Sequence, residues 1–194
     1  MERSISLTTV DQTLIYALGW RRDLVFDLIL VLLFGLLIAL SARVVIPLPF
    51  TPVPLTGQSF AVLLSGALLG SRGGAGAVVT YLVGGAAGLP VFFGGASGAA
   101  HLAGPTGGYL MGFAVAALVV GRLAEKGFDR RLPTSILMMI SGQVIIYALG
   151  LAWLSRFVPA VQLLRLGLFP FLLGDALKLA LAAAVLPTAW RHYR

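Results

Sequence analysis

The sequence has no cysteine and few charged residues. Of its 194 residues, 11% are Asp, Glu, Lys or Arg, whereas 59% are hydrophobic. Without cysteine the chain cannot form disulfides, thiolate nucleophiles or cysteine-ligated metal sites. Such an apolar composition lies outside the usual range of a water-soluble domain. Most of the chain is therefore predicted to lie in lipid.

Residue patterns for catalysis or metal binding are also missing. His101 and His192 are too few and too far apart for a metal site. None of Ser65, Ser97 and Ser141 lies in a Gly-x-Ser-x-Gly motif, and the glycine-rich stretches contain no G-x-x-x-x-G-K-[ST] nucleotide loop. We therefore expect no catalytic residue, no metal and no cofactor.

The net charge of +7 is spread over short gaps between apolar runs and forms no continuous stripe. A stripe of basic residues is what nucleic-acid binding would require. Scattered basic residues beside apolar runs instead favour anionic membrane lipid as a partner, and no nucleic acid.

Six apolar segments are predicted to be membrane-spanning helices. A span needs about 20 apolar residues, or fewer where protein shields its ends. The segments are 27–46, 56–70, 73–88, 106–124, 134–154 and 169–187. Only Gly70 to Gly73 joins the second to the third, so these two could instead form a partly buried helical hairpin. The predicted fold is an all-α integral membrane protein, with an N-terminal segment (1–26) and a six-helix membrane domain (27–194).

The distribution of basic residues predicts the orientation of the chain. Cytoplasmic loops carry an excess of Lys and Arg, and six spans put both termini on one side. That side then holds ten of the 14 basic residues, which are Arg3, Arg21, Arg22, Arg72, Arg122, Lys126, Arg130, Arg131, Arg191 and Arg194. We expect a multi-pass protein of the plasma membrane with cytoplasmic N- and C-termini.

The segment before the first span mixes apolar and polar residues over 4–20 and ends in Trp20, Arg21 and Arg22. It could be an interfacial helix on the cytoplasmic face or a mobile tail. The first apolar run is long enough to span a bilayer and is followed by further spans, so we expect a retained helix rather than a cleaved signal.

Two charged residues lie inside the last span. Asp175 and Lys178 are three residues apart, on one face of a helix, with Asp175 roughly 9 Å from its outer end. An intramembrane charge is costly and usually marks a binding site or pathway. The alternative is that the pair only neutralises itself. We expect Asp175 and Lys178 to bind a polar ligand that enters from outside.

Two outward-facing loops have unusual compositions. Residues 47–54 contain four prolines and suit a rigid wall or lid, with Thr51 and Gln58 as polar groups near it. Residues 84–98 are glycine-rich, so that the backbone at Gly94 could approach a ligand closely. Tyr81 and Phe92 could supply an apolar slot, and Ser97 a polar contact.

Gly35 and Ala39 form a small-xxx-small pair on the first helix, with Ala42 near the next turn. Such a pattern allows close approach of another helix, either internal or from a partner subunit.

Four ordered motifs stand out along the chain. They are Ile46 to Gln58 (IPLPFTPVPLTGQ), Tyr81 to Phe92 (YLVG leading to GLPVF), Gly104 to Leu110 (GPTGGYL) and Gly174 to Lys178 (GDALK). Together they resemble the BioY family, the biotin-specific substrate-binding (S) components of energy-coupling factor (ECF) transporters. The likeness covers nearly the whole chain after about residue 28, whereas the N-terminal residues match nothing in the family.

The resemblance implies a six-helix subunit, not an enzyme, that binds biotin in an outward-facing pocket. It further implies coupling to a transmembrane scaffold subunit and two cytoplasmic ATPases. Asp175 and Lys178 match the family's ligand-binding pair, and Gly35, Ala39 and Ala42 match its scaffold-docking region. The base that meets the biotin carboxylate is expected to be Lys178, with Arg43 as an alternative at the mouth.

Other functions remain as alternatives at this point. An S component for another vitamin, such as thiamine or riboflavin, would share the fold. A proton-coupled secondary transporter could use Asp175 as its proton carrier, and a small membrane enzyme could act on a lipid-like substrate.

Overall fold

A computed structural model describes residues 13–14 and 23–193 of the chain, with side chains up to Arg191. The helices are α1 (Leu24–Ser41), α2 (Gln58–Ala86), α3 (Ala99–Ala103), α4 (Gly107–Glu125), α5 (Leu132–Leu154), α6 (Leu163–Gly167) and α7 (Phe169–Tyr193). Two short strands, β1 (Val45–Ile46) and β2 (Leu55–Thr56), pair antiparallel at the base of the proline-rich loop. Single 3-10 turns occupy Phe93–Gly95, Phe128–Arg130 and Ala160–Gln162.

Five of the helices in the described residues are long and apolar enough to cross a membrane. The longest, α2, is not straight, because Gly70 has the non-helical angles φ 78° and ψ −176°. Gln58 near its start bonds to Tyr81 near its end, which a straight helix would hold more than 30 Å apart. The two halves, 58–69 and 71–86, therefore form an antiparallel hairpin. Counting them separately recovers the six predicted segments, and the all-α membrane fold is confirmed.

The turn of this hairpin is held by side chains from elsewhere in the chain. Glu125, at the end of α4, accepts hydrogen bonds from the Ser71 backbone N (2.7 Å) and from Ser71 Oγ (2.9 Å). These bonds satisfy a helix N-terminus that would otherwise lack partners. Thr13 and Leu14 are buried, and the Thr13 methyl group packs near Gly70. The rest of the predicted interfacial segment over 4–20 lies outside the described residues.

Helix α1 is bound to the bundle through its small residues. Gly35 packs against the Ala77 carbonyl and Thr80 of α2, and Ala39 and Ala42 are both buried. The sequence allowed these small residues to contact either another helix of this chain or a helix of a partner subunit. In the structure the contact is with α2 of the same chain. The surface that α1 leaves open is formed instead by large apolar side chains, including Leu28, Leu32 and Leu36.

The α2 hairpin, α4 and α5 form the centre of the bundle, with α1 and α7 packed at its sides. The end opposite the Gly70 turn is covered by the proline-rich loop, the glycine-rich segment before α4 and the turn before α7. Thr51 ties two of these together, since its Oγ1 donates to the Leu166 carbonyl (2.7 Å). The loops therefore form a structured cover over that end of the bundle.

We predict that Gly70→Ala destabilises the protein. Gly70 has positive φ, and an added Cβ would lie 2.7 Å from Glu125 Oε1. Backbone strain of this kind costs about 1–3 kcal/mol, so the apparent melting temperature in detergent should fall by several degrees. Gly76→Ala is the matched control, because its Cβ would meet only Val31 at 3.6 Å. Equal melting temperatures for the two variants would contradict the role assigned to Gly70.

Candidate ligand-binding site

A cavity of about 70 Å³ lies inside the loop-covered end of the bundle. It is lined by α2, α4, α5 and α7, together with the end of the proline-rich loop and the segment before α4. Its polar lining consists of Thr56, Gln58, Ser59, Tyr81, His101, Thr106, Tyr109, Gln143, Tyr147, Asp175 and Lys178. Its apolar lining includes Val53, Leu55, Phe92, Phe93, Phe113 and Phe171. An apolar cavity with converging polar groups is the usual form of a small-molecule site.

Asp175 is the centre of the polar network in this cavity. It is buried, yet its carboxylate accepts four hydrogen bonds. Oδ1 accepts from Lys178 Nζ (2.8 Å) and Ser59 Oγ (3.3 Å), and Oδ2 accepts from Gln143 Nε2 (2.6 Å) and Tyr147 Oη (2.5 Å). A buried charge is tolerated only when it is paired and hydrogen-bonded in this way. The donors come from α2, α5 and α7, so Asp175 connects three helices.

Lys178 completes the network toward the proline-rich loop. Its Nζ also donates to the carbonyl of Thr56 in β2 (2.6 Å) and to Ser59 Oγ (3.3 Å). About a fifth of its side chain is exposed. Lys178 therefore faces the cavity as a cation that its neighbours only partly surround.

Asp175 and Lys178 do form an ion pair with each other, as expected if their only role were to neutralise each other's charge. However, both side chains also line the cavity. The pair is therefore not sealed inside a helix contact, and a ligand in the cavity would touch it.

An aromatic wall faces this network. Phe92 is fully buried and meets the Tyr81 ring edge to face, with the ring centroids 5.5 Å apart. The Tyr81 hydroxyl accepts from Gln58 Nε2 (2.5 Å). Phe92 fits only because residue 85 is glycine, since a Cβ there would overlap the Phe92 ring. The glycine-rich segment thus seats an aromatic ring against α2.

His101 belongs to the same wall. Its ring stacks on Phe92, with centroids 4.8 Å apart and planes 15° apart, and lies 5.1 Å from Phe93. Its Nε2 is buried and has no hydrogen-bond partner in the structure. Burial lowers the pKa of His101, so the ring is neutral at pH 7. A neutral imidazole with an unused polar atom at a cavity is suited to a ligand contact.

Five of the side chains that the sequence predicted for a site line this cavity together: Asp175, Lys178, Gln58, Tyr81 and Phe92. The proline-rich loop also reaches the cavity, through Val53 and Pro54 at its end.

Four other predicted contacts do not line the cavity. Thr51 is turned to the Leu166 carbonyl, and Arg43 donates Nη2 to the Pro90 carbonyl (2.7 Å) on the exposed surface. Ser97 is exposed, and Gly94 supplies a turn with φ 65°. Thr51 and Arg43 therefore hold the loops around the cavity through bonds to loop carbonyls, whereas Ser97 faces outward.

Ser59, His101, Gln143 and Tyr147 are cavity residues that the sequence reasoning missed. The sequence did contain a signal for two of them. Gln143 is an amide within the apolar helix α5, and Tyr147 lies one turn further along the same face, so both could have been predicted to face a polar site. Within the described residues, no group of three His, Cys, Asp or Glu side chains could hold a metal ion.

Comparisons with known proteins identify the family. The model of the BioY family matches residues 9–194. The expectation that the family likeness begins only at about residue 28 was therefore wrong, since the match already includes residues 9–27. The biotin transporter BioY of Thermotoga maritima is 43% identical over 154 residues, covering 79% of this chain and 89% of the relative. The probable biotin transporter BioY of Pyrococcus horikoshii is 39% identical over 156 residues, covering 80% and 91%.

A solved structure is similar as well. It is the crystal structure at 2.1 Å of the S-component for biotin from an ECF-type ABC transporter. The match has a TM-score of 0.76 at 27% identity and covers 86% of this chain and 92% of that one.

We predict that Asp175 and Lys178 depend on each other for stability. Asp175→Asn leaves Lys178 without its counter-ion, and Lys178→Met leaves the buried carboxylate without its cation, so each should lower the apparent melting temperature without ligand. The double variant removes both charges and should lose about 1–3 kcal/mol less than the sum of the single changes. Additive losses in this double-mutant cycle would show that the 2.8 Å contact contributes no coupling.

Proposed function

The chain belongs to the BioY family, and on this premise we propose that it is the membrane-embedded biotin-binding subunit of an ECF transporter. The observation that carries the proposal is the hydrogen-bonded Asp175 carboxylate in a cavity that also has an aromatic wall. The chain acts by binding and transport and is not an enzyme.

Biotin's chemistry fits the residues around this cavity. Its ureido ring has two N–H donors and one carbonyl acceptor, its thiophane ring is apolar, and its tail ends in a carboxylate. Asp175 can accept from the ureido N–H groups, and Phe92 and Tyr81 can cover the apolar ring. The ureido group and the apolar ring of biotin therefore each have a matching group in the lining.

The ureido group can enter this network without a net loss of hydrogen bonds. A carboxylate has about four lone-pair positions, and all four on Asp175 already accept from the protein. When ureido N–H groups approach Oδ2, Gln143 and Tyr147 can turn their donors to the ureido carbonyl. In this exchange Oδ2 would accept from the ureido N–H groups instead of from Gln143 and Tyr147. These two side chains would donate to the ureido carbonyl instead.

Lys178 lines the cavity with its ammonium group 2.8 Å from Asp175, so it lies at the same end of the ligand as the ureido ring and can donate to the ureido carbonyl. The carboxylate at the far end of the tail is beyond its reach, and Arg43 is exposed and bonded to the Pro90 carbonyl. The cavity of about 70 Å³ is smaller than the roughly 300–1,000 Å³ of ordinary ligand pockets. We therefore expect the covering loops to move apart when biotin enters.

The transport setting extends the proposal beyond the chain itself. An S component of this kind would work with a transmembrane scaffold subunit and two cytoplasmic ATPases in the plasma membrane. The excess of basic residues near the Gly70 turn and the end of α7 supports a cytoplasmic position for that side and for both termini. Co-purification with a tagged scaffold subunit tests the assembly. Uptake that collapses with an uncoupler at constant ATP would favour proton coupling instead.

We predict that the purified protein binds biotin in calorimetry and does not bind thiamine or riboflavin. Asp175→Asn and Lys178→Met should each weaken biotin binding by about 2–5 kcal/mol, because each removes a buried, charge-assisted contact. Ser97→Ala is the control, since this exposed side chain lies outside the cavity, and it should bind as wild type. Unchanged affinity in both Asp175 and Lys178 variants would refute the assigned pair.

A second prediction concerns His101. His101→Phe keeps a ring stacked on Phe92 but removes the buried Nε2. If biotin supplies the missing partner of this atom, the variant should bind it about 1–2 kcal/mol more weakly. Its melting temperature without ligand should not fall, since the wild-type atom has no protein partner to lose. A loss of stability without a loss of affinity would assign His101 to packing alone.

A further inference from the structure

An open groove runs along the outside of the bundle between α5 and α7. It has a volume of about 710 Å³ and is lined mostly by aliphatic side chains. Ile140 of α5 and Leu172 of α7 are 44% and 46% exposed there. Both helices are long and apolar enough to cross a membrane, so the groove opens to the hydrocarbon. An acyl chain is the occupant whose chemistry fits such a slot.

Two basic cavities lie at the end of the same two helices. One, of about 410 Å³, is lined by Lys126, Arg130, Arg131 and Thr134. The other, of about 340 Å³, shares Arg130 and Arg131 and adds Arg191 of α7. Four cations therefore surround two adjoining depressions where α4 ends, α5 begins and α7 ends. This level is where lipid headgroups meet a membrane protein.

The turn that presents these cations is held firmly in place. Asp129 is fully buried, and its Oδ2 accepts from Trp190 Nε1 (2.6 Å) of α7. The Arg130 guanidinium lies 4.8 Å from the centre of the Trp190 ring. Thr134 Oγ1 donates to the Phe128 and Arg131 carbonyls. The positions of the basic side chains are thus set by contacts between the turn and α7.

The acid in this turn offsets only part of the positive charge. Burial raises the pKa of Asp129 to about 6, so it is still ionised at pH 7, but it is one buried acid beside the four cations. Arg131 and Arg191, in contrast, are exposed. The surface therefore attracts an anion.

The basic cavities and the apolar groove follow each other along α5. Leu132 and Pro133 line a basic cavity, and Ile136, less than one turn further, lines the groove. This places positive charge at the membrane surface directly beside an apolar slot between the same helices. A phosphodiester joined to an acyl chain matches both parts, whereas free phosphate matches only the first.

We propose that the cleft between α5 and α7 is a binding site for one anionic phospholipid. Arg131 and Arg191 hold the phosphate, and one acyl chain occupies the groove. The groove reaches Gln143, Tyr147 and Asp175, which also line the ligand cavity. The acyl chain therefore lies behind the hydrogen-bonded wall of that cavity.

Lipid retention tests this site without reference to biotin. The delipidated protein is offered equal amounts of dioleoylphosphatidylglycerol and dioleoylphosphatidylcholine in detergent, and bound lipid is counted by native mass spectrometry. Wild type should retain phosphatidylglycerol about tenfold over phosphatidylcholine. The double variant Arg131→Gln/Arg191→Gln should retain the two lipids about equally, with an unchanged melting temperature.

The matched control makes the same charge change at the other end of the bundle. Arg156 and Arg165 are exposed there, and Arg156→Gln/Arg165→Gln should keep the wild-type preference. No preference in wild type, or an equal loss in this control, would overturn the site.

The groove is tested separately from the headgroup. Ala180 is exposed in the groove, and Ala180→Trp should fill it and lower the retention of both lipids several-fold. Millimolar inorganic phosphate should not displace phosphatidylglycerol from wild type. Full displacement by phosphate, or unchanged retention in a correctly folded Ala180→Trp protein, would show that no acyl chain binds there.

Discussion

The Asp175 carboxylate is buried inside a membrane domain, and the arrangement of the helices around it supplies the donors and the cation that it needs. A charge in such surroundings is stable only when every lone pair has a donor and a cation is near. Lys178 supplies the cation from the same helix, but Ser59, Gln143 and Tyr147 must come from α2 and α5. Three helices consequently converge at one height, and the space left between them becomes the cavity.

The α2 hairpin makes that convergence possible. Because the chain reverses at Gly70, both halves of α2 run to the loop-covered end, and Gln58 from one half meets Tyr81 from the other. The hairpin turn is secured by Glu125 at the opposite end of the bundle. The residues that line the cavity and the residues that hold the hairpin are thus about one helix length apart.

Helices α5 and α7 face the cavity on one side and the membrane lipid on the other. Their inner faces supply Gln143, Tyr147, Asp175 and Lys178 to the cavity, while their outer faces form the apolar groove. At the far end, Asp129 and Trp190 join the α4–α5 turn to α7. A ligand in the cavity and a lipid in the cleft would therefore contact opposite sides of the same hydrogen-bonded wall, which makes coupling between them physically reasonable.

The sequence by itself determined the membrane segments and the two charged site residues. Hydrocarbon thickness imposes the length of a span, and Asp175 and Lys178 are conspicuous because charge is rare within a span. The positions of neutral polar residues such as Ser59, Gln143 and His101 were decided by tertiary structure, since only helix packing selects which of them face the cavity. The same holds for Thr51 and Arg43, whose partners are the distant Leu166 and Pro90 carbonyls. It holds also for Gly35, Ala39 and Ala42, because a small-residue face fits an internal or a foreign helix equally well until the chain is folded.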